Sequence, residues 1–306
     1  MDSSFLQAHN MDARYLDMAK HYFVPALNWL VAQANKASAR PLIVGINGSQ
    51  GAGKSTLADY GVRWCDAHGL SACAVSIDDF YHTRAHRQIL AETVHPLLAT
   101  RGVPGTHDVN AAMRFFQALT HGEFPLQVPR FNKAADEPFP PSEWPVLMAC
   151  VDIVFFEGWC VGSLPQPTEQ LRAPVNALEA EQDRQGRWRQ YVNTALEGPY
   201  RKLFDLLDHL LLLKAPSFEY VAQWRWEQEE KLIATLTDFE RANAQGLMSR
   251  EAVSRFVSFY ERITRDNIKR LPDQADIVYS LSEQRDIIGI SGKHVCLGTG
   301  VSFEIA

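Results

Sequence analysis

The segment Gly48-Ser49-Gln50-Gly51-Ala52-Gly53-Lys54-Ser55 constrains this chain more than any other. It follows the short apolar run Leu42-Ile43-Val44-Gly45-Ile46 and passes into Thr56-Leu57-Ala58, giving the order strand, loop, helix. A G-x-x-x-x-G-K-[ST] string in that setting wraps its backbone N–H groups around a phosphate, helped by the positive end of the following helix. The nucleotide-binding set is therefore residues 48–56, from Gly48, Ser49 and Gln50 through Gly51, Ala52 and Gly53 to Lys54, Ser55 and Thr56. Lys54 is expected to reach the β and γ oxygens of ATP, and Ser55 to ligate Mg2+. Average residue frequencies put a chance match somewhere in the chain at roughly one per cent.

Four further β-rich runs follow: Ala72 to Ile77, Val151 to Phe156, Leu210 to Leu213 and Asp276 to Leu281. Helical patterns separate them, at Ala111 to Leu119, Arg187 to Leu207, Phe218 to Ala244 and Ser249 to Lys269. This alternation predicts an α/β fold with a parallel sheet covered by helices on both faces. Before the sheet, apolar residues from Met11 to Ala34 recur at helical spacing, predicting a packing helix perturbed near Pro25. Residues 1–36 then form an N-terminal helical extension and 37–306 a single phosphate-loop domain. Residues 96–108 and 125–145, rich in Pro, Gly and charge, are too long for simple connections and read as acceptor-binding loops. The polar stretch 166–185 reads as a surface insertion of partly helical character. Trp188, Trp224 and Trp226 read as a cluster that packs helices.

Charge narrows the partners. A formal net charge of -6 over 306 residues, without a long basic run, excludes the electrostatic footprint of nucleic-acid or anionic-membrane binding and leaves a small-molecule partner. The five cysteines are scattered and never form C-x-x-C, which fits a reducing cytoplasm better than a disulfide framework. No stretch is apolar enough for a membrane span. His82 and His86 have metal-pair spacing, but no Glu follows His82 as H-E-x-x-H requires.

The residues next to the other strand ends define the chemistry. A guanine-reading N-K-x-D is absent, since Asn132-Lys133-Ala134-Ala135-Asp136 holds one residue too many. Glu157, after the Val151 to Phe156 run, is placed to steer magnesium. Asp78 ends the strand after the phosphate-loop helix, and ligands of parallel sheets gather at the carboxyl ends of strands. It is therefore the expected general base for an attacking hydroxyl. Asp79 is expected to point differently and cap the turn. Arg101, His107, Arg130 and Lys133 are cations suited to an anionic acceptor, and Tyr81 and Asp108 complete the acceptor-binding set.

Taken with Gly48 to Ser55, the strings Ser76-Ile77-Asp78-Asp79-Phe80-Tyr81 and Phe156-Glu157-Gly158-Trp159 resemble the family of uridine kinase, pantothenate kinase and phosphoribulokinase. Within it, Arg101-Gly102-Val103-Pro104-Gly105-Thr106-His107-Asp108, Pro129-Arg130-Phe131-Asn132-Lys133 and Gln223-Trp224-Arg225-Trp226-Glu227-Gln228-Glu229 resemble the plant and fungal D-glycerate 3-kinase branch. The likeness runs from about residue 41 to 282. It implies a P-loop kinase fold, ATP and magnesium, Asp78 as base, and a mobile lid at 216–246 whose catalytic arginine is Arg225. The chain departs from the branch after Lys133, where Ala134-Ala135-Asp136-Glu137-Pro138 replaces a serine and a glycine-rich stretch. The acceptor thus stays open among D-glycerate, a nucleoside, pantothenate and a sugar phosphate, and a non-catalytic nucleotide switch is the reading from another class.

Overall fold

The computed structural model describes residues 3–36, 41–235, 248–297 and 301–303. Its centre is a six-stranded sheet built from β1 (Leu42–Gly48), β2 (Ala72–Ser76), β3 (Ile153–Gly158), β4 (His209–Lys214), β5 (Ile277–Leu281) and β6 (Ile287–Ser291). The spatial order is β6-β5-β4-β1-β3-β2. All neighbours are parallel except the terminal β5–β6 hairpin. The chain leaves β1 toward β2 on one side and returns through β3 to β4 on the other, so a crevice opens at the carboxyl ends of the central strands.

Period-two alternation explains the two cores. Val44, Ile46, Phe155, Leu211 and Leu213 face one side, with Leu27, Leu30, Leu57, Trp64 and Trp224. Ile43, Val75, Val154 and Phe156 face the other, with Phe115, Phe116, Trp188 and Tyr200. The first layer is built from α1 (Ser3–His9), α2 (Arg14–Lys36), α3 (Lys54–Ala67) and the helix Phe218–Thr235, and the second includes α5 (Val109–His121) and α6 (Arg187–Ala195). Between β2 and α5 lies α4 (Arg84–Thr93). After β4 come α7 (Phe218–Thr235), α8 (Arg250–Ser258) and α9 (Glu261–Arg270).

At the opposite end of the sheet, the residue before each of three strands is an aspartate that accepts a neighbouring backbone N–H. Asp152 takes Ser71 N at 3.0 Å, Asp208 takes Ile43 N at 2.7 Å and Asp276 takes Leu210 N at 2.7 Å. Ser71 precedes β2, and Ile43 and Leu210 are the second residues of β1 and β4, so the carboxylates give a partner to backbone N–H groups where the strands begin.

Several expectations need correction. The N-terminal helix α2 runs through Pro25 without interruption. It buries Phe23, Leu27 and Leu30 in the same core as the phosphate-loop helix. The expected helix Ser249–Lys269 is two, α8 and α9, and the one expected over Arg187–Leu207 passes through a π-helical turn, Leu196–Tyr200, where Pro199 offers no N–H. Trp188 and Trp224 are core residues but lie on opposite faces of the sheet, so no single tryptophan cluster exists. The 166–185 stretch is anchored by buried acids and so is more than a surface insertion: Glu179 pairs with Arg262 at 2.6 Å and Asp183 with Arg189 at 3.0 Å. Strand β6 was hidden because its turn, Ser282 to Asp286, bends at Arg285 with φ 71°, where a sequence reading looks for Gly or Asn. The expected lid beyond residue 235 and the boundary at 36/37 fall at or outside the limits of the described residues.

Candidate active site

The phosphate loop joins β1 to α3. Gly51 and Gly53 take φ of 79° and 93°, the left-handed region that favours glycine, and Gly53 stands at the start of α3. A Cβ on Gly51 would stand 2.8 Å from Trp224 Cβ, so α7 itself closes one side of the loop. Among the described residues, the buried Ser49 Oγ and Gln50 Oε1 have no hydrogen-bond partner. Lys54 donates to Ser49 O at 3.0 Å. Burial lowers its pKa, and the carboxylates of Glu157 and Asp78 act against that shift.

Glu157 sits one strand over. The register places it opposite both Ile46 of β1 and Ser76 of β2, in the middle of the sheet's carboxyl edge. It is only 8 % exposed, and its Oε1 accepts the Ser55 hydroxyl at 2.9 Å. A hydroxyl and a carboxylate held together at the mouth of a phosphate loop form a hard oxygen donor set that fits Mg2+, which keeps much of its water and takes few protein oxygens. Asn47, which the sequence reading passed over, ties this end together by donating to the carbonyls of Trp159 at 3.2 Å and Val161 at 2.7 Å.

Asp78 lies on the short 3-10 turn Ile77–Phe80 that continues β2, with Ser76 capping its N–H. Its Oδ1 accepts Tyr81 OH at 2.9 Å and its Oδ2 accepts Lys133 Nζ at 2.7 Å. Burial pushes the carboxyl upward, but Lys133, His107 and the Tyr81 hydroxyl outweigh it and hold the pKa below the usual value. The carboxylate is thus ionised and solvated by fixed groups, the state a proton acceptor needs. The Lys133 stem is exposed; only its ammonium is committed. Burial lowers the Lys133 pKa, the Asp78 charge raises it, and the net shift is upward.

His107 stacks on Tyr81 with ring centroids 4.3 Å apart, and the two residues form an isolated antiparallel bridge. Burial drives its pKa down to about 3, so the imidazole is neutral. Its Nδ1 lies 2.6 Å from Tyr200 OH, which already accepts Gly105 N–H at 2.9 Å. Tyr200, absent from the sequence reading, carried no motif.

The remaining acceptor-set residues are tied elsewhere. Arg130 pairs with Asp79 at 3.2 Å, and Asp79 also accepts Phe131 N at 3.2 Å. Asp79 therefore reaches the second loop, while its carboxylate also meets the backbone of Ser76 at the start of its own turn, as expected of a cap. Arg101 pairs with Asp136 and donates to Lys133 O at 3.1 Å. Asp108 caps α5 by accepting Ala111 N at 2.8 Å. Arg225 on α7 pairs with Glu229 at 2.9 Å and lies over the Phe256 ring. The structure thus brings Lys54, Ser55, Glu157, Asp78, Tyr81, His107 and Lys133 together, whereas Asp108 serves a helix end.

No family model matches the chain. It is 32% identical over 243 residues to the uncharacterized kinase mug58 of Schizosaccharomyces pombe, covering 74% of this chain and 80% of that protein. It is 29% identical over 261 residues to the chloroplastic D-glycerate 3-kinase of Arabidopsis thaliana, covering 78% of this chain and 52% of the relative, so it spans about half of that protein's length. Among solved structures, the D-glycerate 3-kinase of Cryptococcus neoformans superposes with a TM-score of 0.69 at 24% identity, over 87% of this chain and 97% of that one. That likeness establishes the fold.

Proposed function

Because the chain belongs to the P-loop kinase family that includes a D-glycerate 3-kinase branch, we propose that it transfers the γ-phosphoryl group of ATP to a hydroxyl of D-glycerate, yielding 3-phosphoglycerate and ADP. The carrying observation is the Asp78 carboxylate, held by Lys133 at 2.7 Å and Tyr81 at 2.9 Å, at the strand end beside the Ser55–Glu157 pair. In this reading the acceptor oxygen attacks the γ-phosphorus, the bond to the β–γ bridging oxygen breaks, and the hydroxyl proton passes to Asp78. Lys54 neutralises charge on the transferring group. Ser55 and Glu157 would hold Mg2+, which supplies charge neutralisation on the phosphates. Lys133 offers a cation to a carboxylate, and Tyr81 and His107 line the acceptor side. A three-carbon acid offers few contacts, so the distance between its carboxylate anchor and Asp78 would choose the hydroxyl.

The reading is supported by the activity of the Arabidopsis thaliana relative, a D-glycerate 3-kinase, and by a site whose cations suit an acid. The departure after Lys133 bears on the acceptor alone. Purified protein, Mg-ATP and D-glycerate should give glycerate-dependent ADP and a product that phosphorus NMR and mass identify as 3-phosphoglycerate. Turnover with a nucleoside, pantothenate or a sugar phosphate in its place would reject glycerate and keep the kinase chemistry. Silence with the whole panel would point to the nucleotide switch.

A further inference from the structure

We infer that Arg101 is a positioning residue that acts through Lys133, and that Asp136, inside the stretch where the chain departs from the branch it resembles, is the anchor that makes this possible. The inference rests on the reading of Asp78 as the acceptor base.

The tip of the second loop is a tight turn. Asn132 Oδ1 accepts the N–H groups of Ala134 at 3.1 Å and Ala135 at 3.0 Å, and Asp136 takes φ of 58°. An aspartate tolerates that left-handed backbone better than most residues. The conformation turns its carboxylate inward, where three guanidinium groups converge: Arg84 at 3.6 Å, Arg87 at 2.7 Å and Arg101. Arg87, 1 % exposed, also donates to the carbonyls of His82 at 3.2 Å, Ala99 at 2.9 Å and Asp136 at 3.2 Å. One carboxylate thus fastens the second loop to the first loop and to α4.

Arg101 uses both ends of its fork in this knot. One nitrogen meets Asp136, the other donates to Lys133 O at 3.1 Å, and the guanidinium lies over Phe131 with 5.5 Å to the ring centroid. A planar fork with both terminal nitrogens engaged on the second loop is held there as a clamp. What it fixes is the backbone of Lys133, whose ammonium rests 2.7 Å from Asp78. The cation that faces the acceptor is therefore Lys133, and Arg101 decides where it stands.

The test is a double-mutant cycle on acceptor kcat/KM using wild type, Arg101→Met, Lys133→Ala and the double variant. Met keeps a long apolar stem over Phe131. If Arg101 acts through Lys133, Arg101→Met should lower acceptor kcat/KM by roughly tenfold in wild type but by less than about twofold when Lys133 is already Ala, with the KM for ATP nearly unchanged. Equal losses in both backgrounds would make Arg101 a direct ligand and overturn the inference. A readout that needs no acceptor separates failure here from failure of the glycerate reading: Lys133 is 13C-dimethylated, assigned by its loss in Lys133→Ala, and its shift is titrated with pH. The Asp78 inflection should move upward in Arg101→Met and in the milder Arg101→Lys, which cannot hold Asp136 and the Lys133 carbonyl together. An inflection that stays in place in both folded variants would overturn the inference even if no acceptor were known.

Discussion

The two halves of the candidate site are held by different means. At the phosphate end, Lys54, Ser55 and Glu157 hang from the adjacent strands β1 and β3 or from the first turn of α3, and glycines at positive φ shape the loop. At the acceptor end, Lys133 and Arg130 come from a loop with little regular structure, and reach Asp78 and Asp79 across 55 and 51 residues of chain. The first half is fixed by backbone, which exists as soon as the sheet does. The second is fixed by side-chain ion pairs, each conditional on its partner. The phosphate half should therefore tolerate changes around it and fail only at its own groups, whereas the acceptor half should respond to changes one residue removed.

The largest expected effect lies where the halves meet. Asp78→Asn should cut turnover by roughly two to four orders of magnitude, the range that loss of a general base spans, while ATP affinity stays within a few-fold. Steady-state rates and ATP titration check this. A collapse of ATP binding would make Asp78 part of the phosphate half. Within that half, Lys54→Ala should lower turnover by about 10²–10³-fold, because a fixed charge on the transferring group is lost. The fold should survive, since among the described residues Lys54 donates only to the Ser49 carbonyl and the loop shape belongs to Gly51 and Gly53. Circular dichroism and melting would verify it.

Lys133→Ala probes the acceptor half through pH. The Asp78 pKa is held below the ordinary carboxylate value because Lys133, His107 and Tyr81 outweigh burial. A depressed folded pKa contributes stability above the unfolded value, lost as pH falls through the folded one. Removing Lys133 leaves burial less opposed, so the folded pKa rises, that stability contribution shrinks, and the acid limb of the kcat profile moves to higher pH. A profile that does not move would detach Lys133 from Asp78 in solution.

The same contrast explains what was legible in the sequence. Gly48 to Ser55 could be read because its function needs residue types at fixed spacing inside one segment, and Glu157 and Asp78 because strand ends converge by topology. The five parallel strands announced themselves as apolar runs. Ion pairs between loops leave no such mark: nothing in the string Ala134-Ala135-Asp136 says that its acid will turn to φ of 58° and collect Arg84, Arg87 and Arg101. Tyr200 was equally silent, because a tyrosine that orients a histidine 93 residues away looks like any core aromatic. Asp108 is the reverse case. It stands in a conspicuous string, yet an aspartate before a helix is first of all a cap, and it accepts Ala111 N at 2.8 Å.

Arg225 gives the smallest expected effect and the sharpest use of the contrast, since it stands on α7 beside the phosphate loop but is engaged like an acceptor-loop residue. Its guanidinium pairs with Glu229 at 2.9 Å and lies 5.8 Å from the Phe256 ring centroid, while its neighbour Trp224 packs against Gly51. To stabilise a transferring phosphoryl group it must trade Glu229 for phosphate oxygens, an exchange of one charge-assisted pair for another that a small shift of α7 would complete. Lysine keeps the charge but loses the planar fork and the stacking on Phe256. Arg225→Lys should therefore slow turnover by about tenfold, with the KM for the acceptor unchanged, because the lost interaction is made in the transition state. Glu229→Gln separates the roles. If Glu229 only stores the guanidinium between turnovers, weakening that hold should leave kcat equal or higher, whereas a slower enzyme of lower melting temperature would show that the pair serves the packing of α7 against α8. An unchanged rate in Arg225→Lys would return Arg225 to that packing role and leave the phosphate half complete with Lys54 and the Ser55–Glu157 pair.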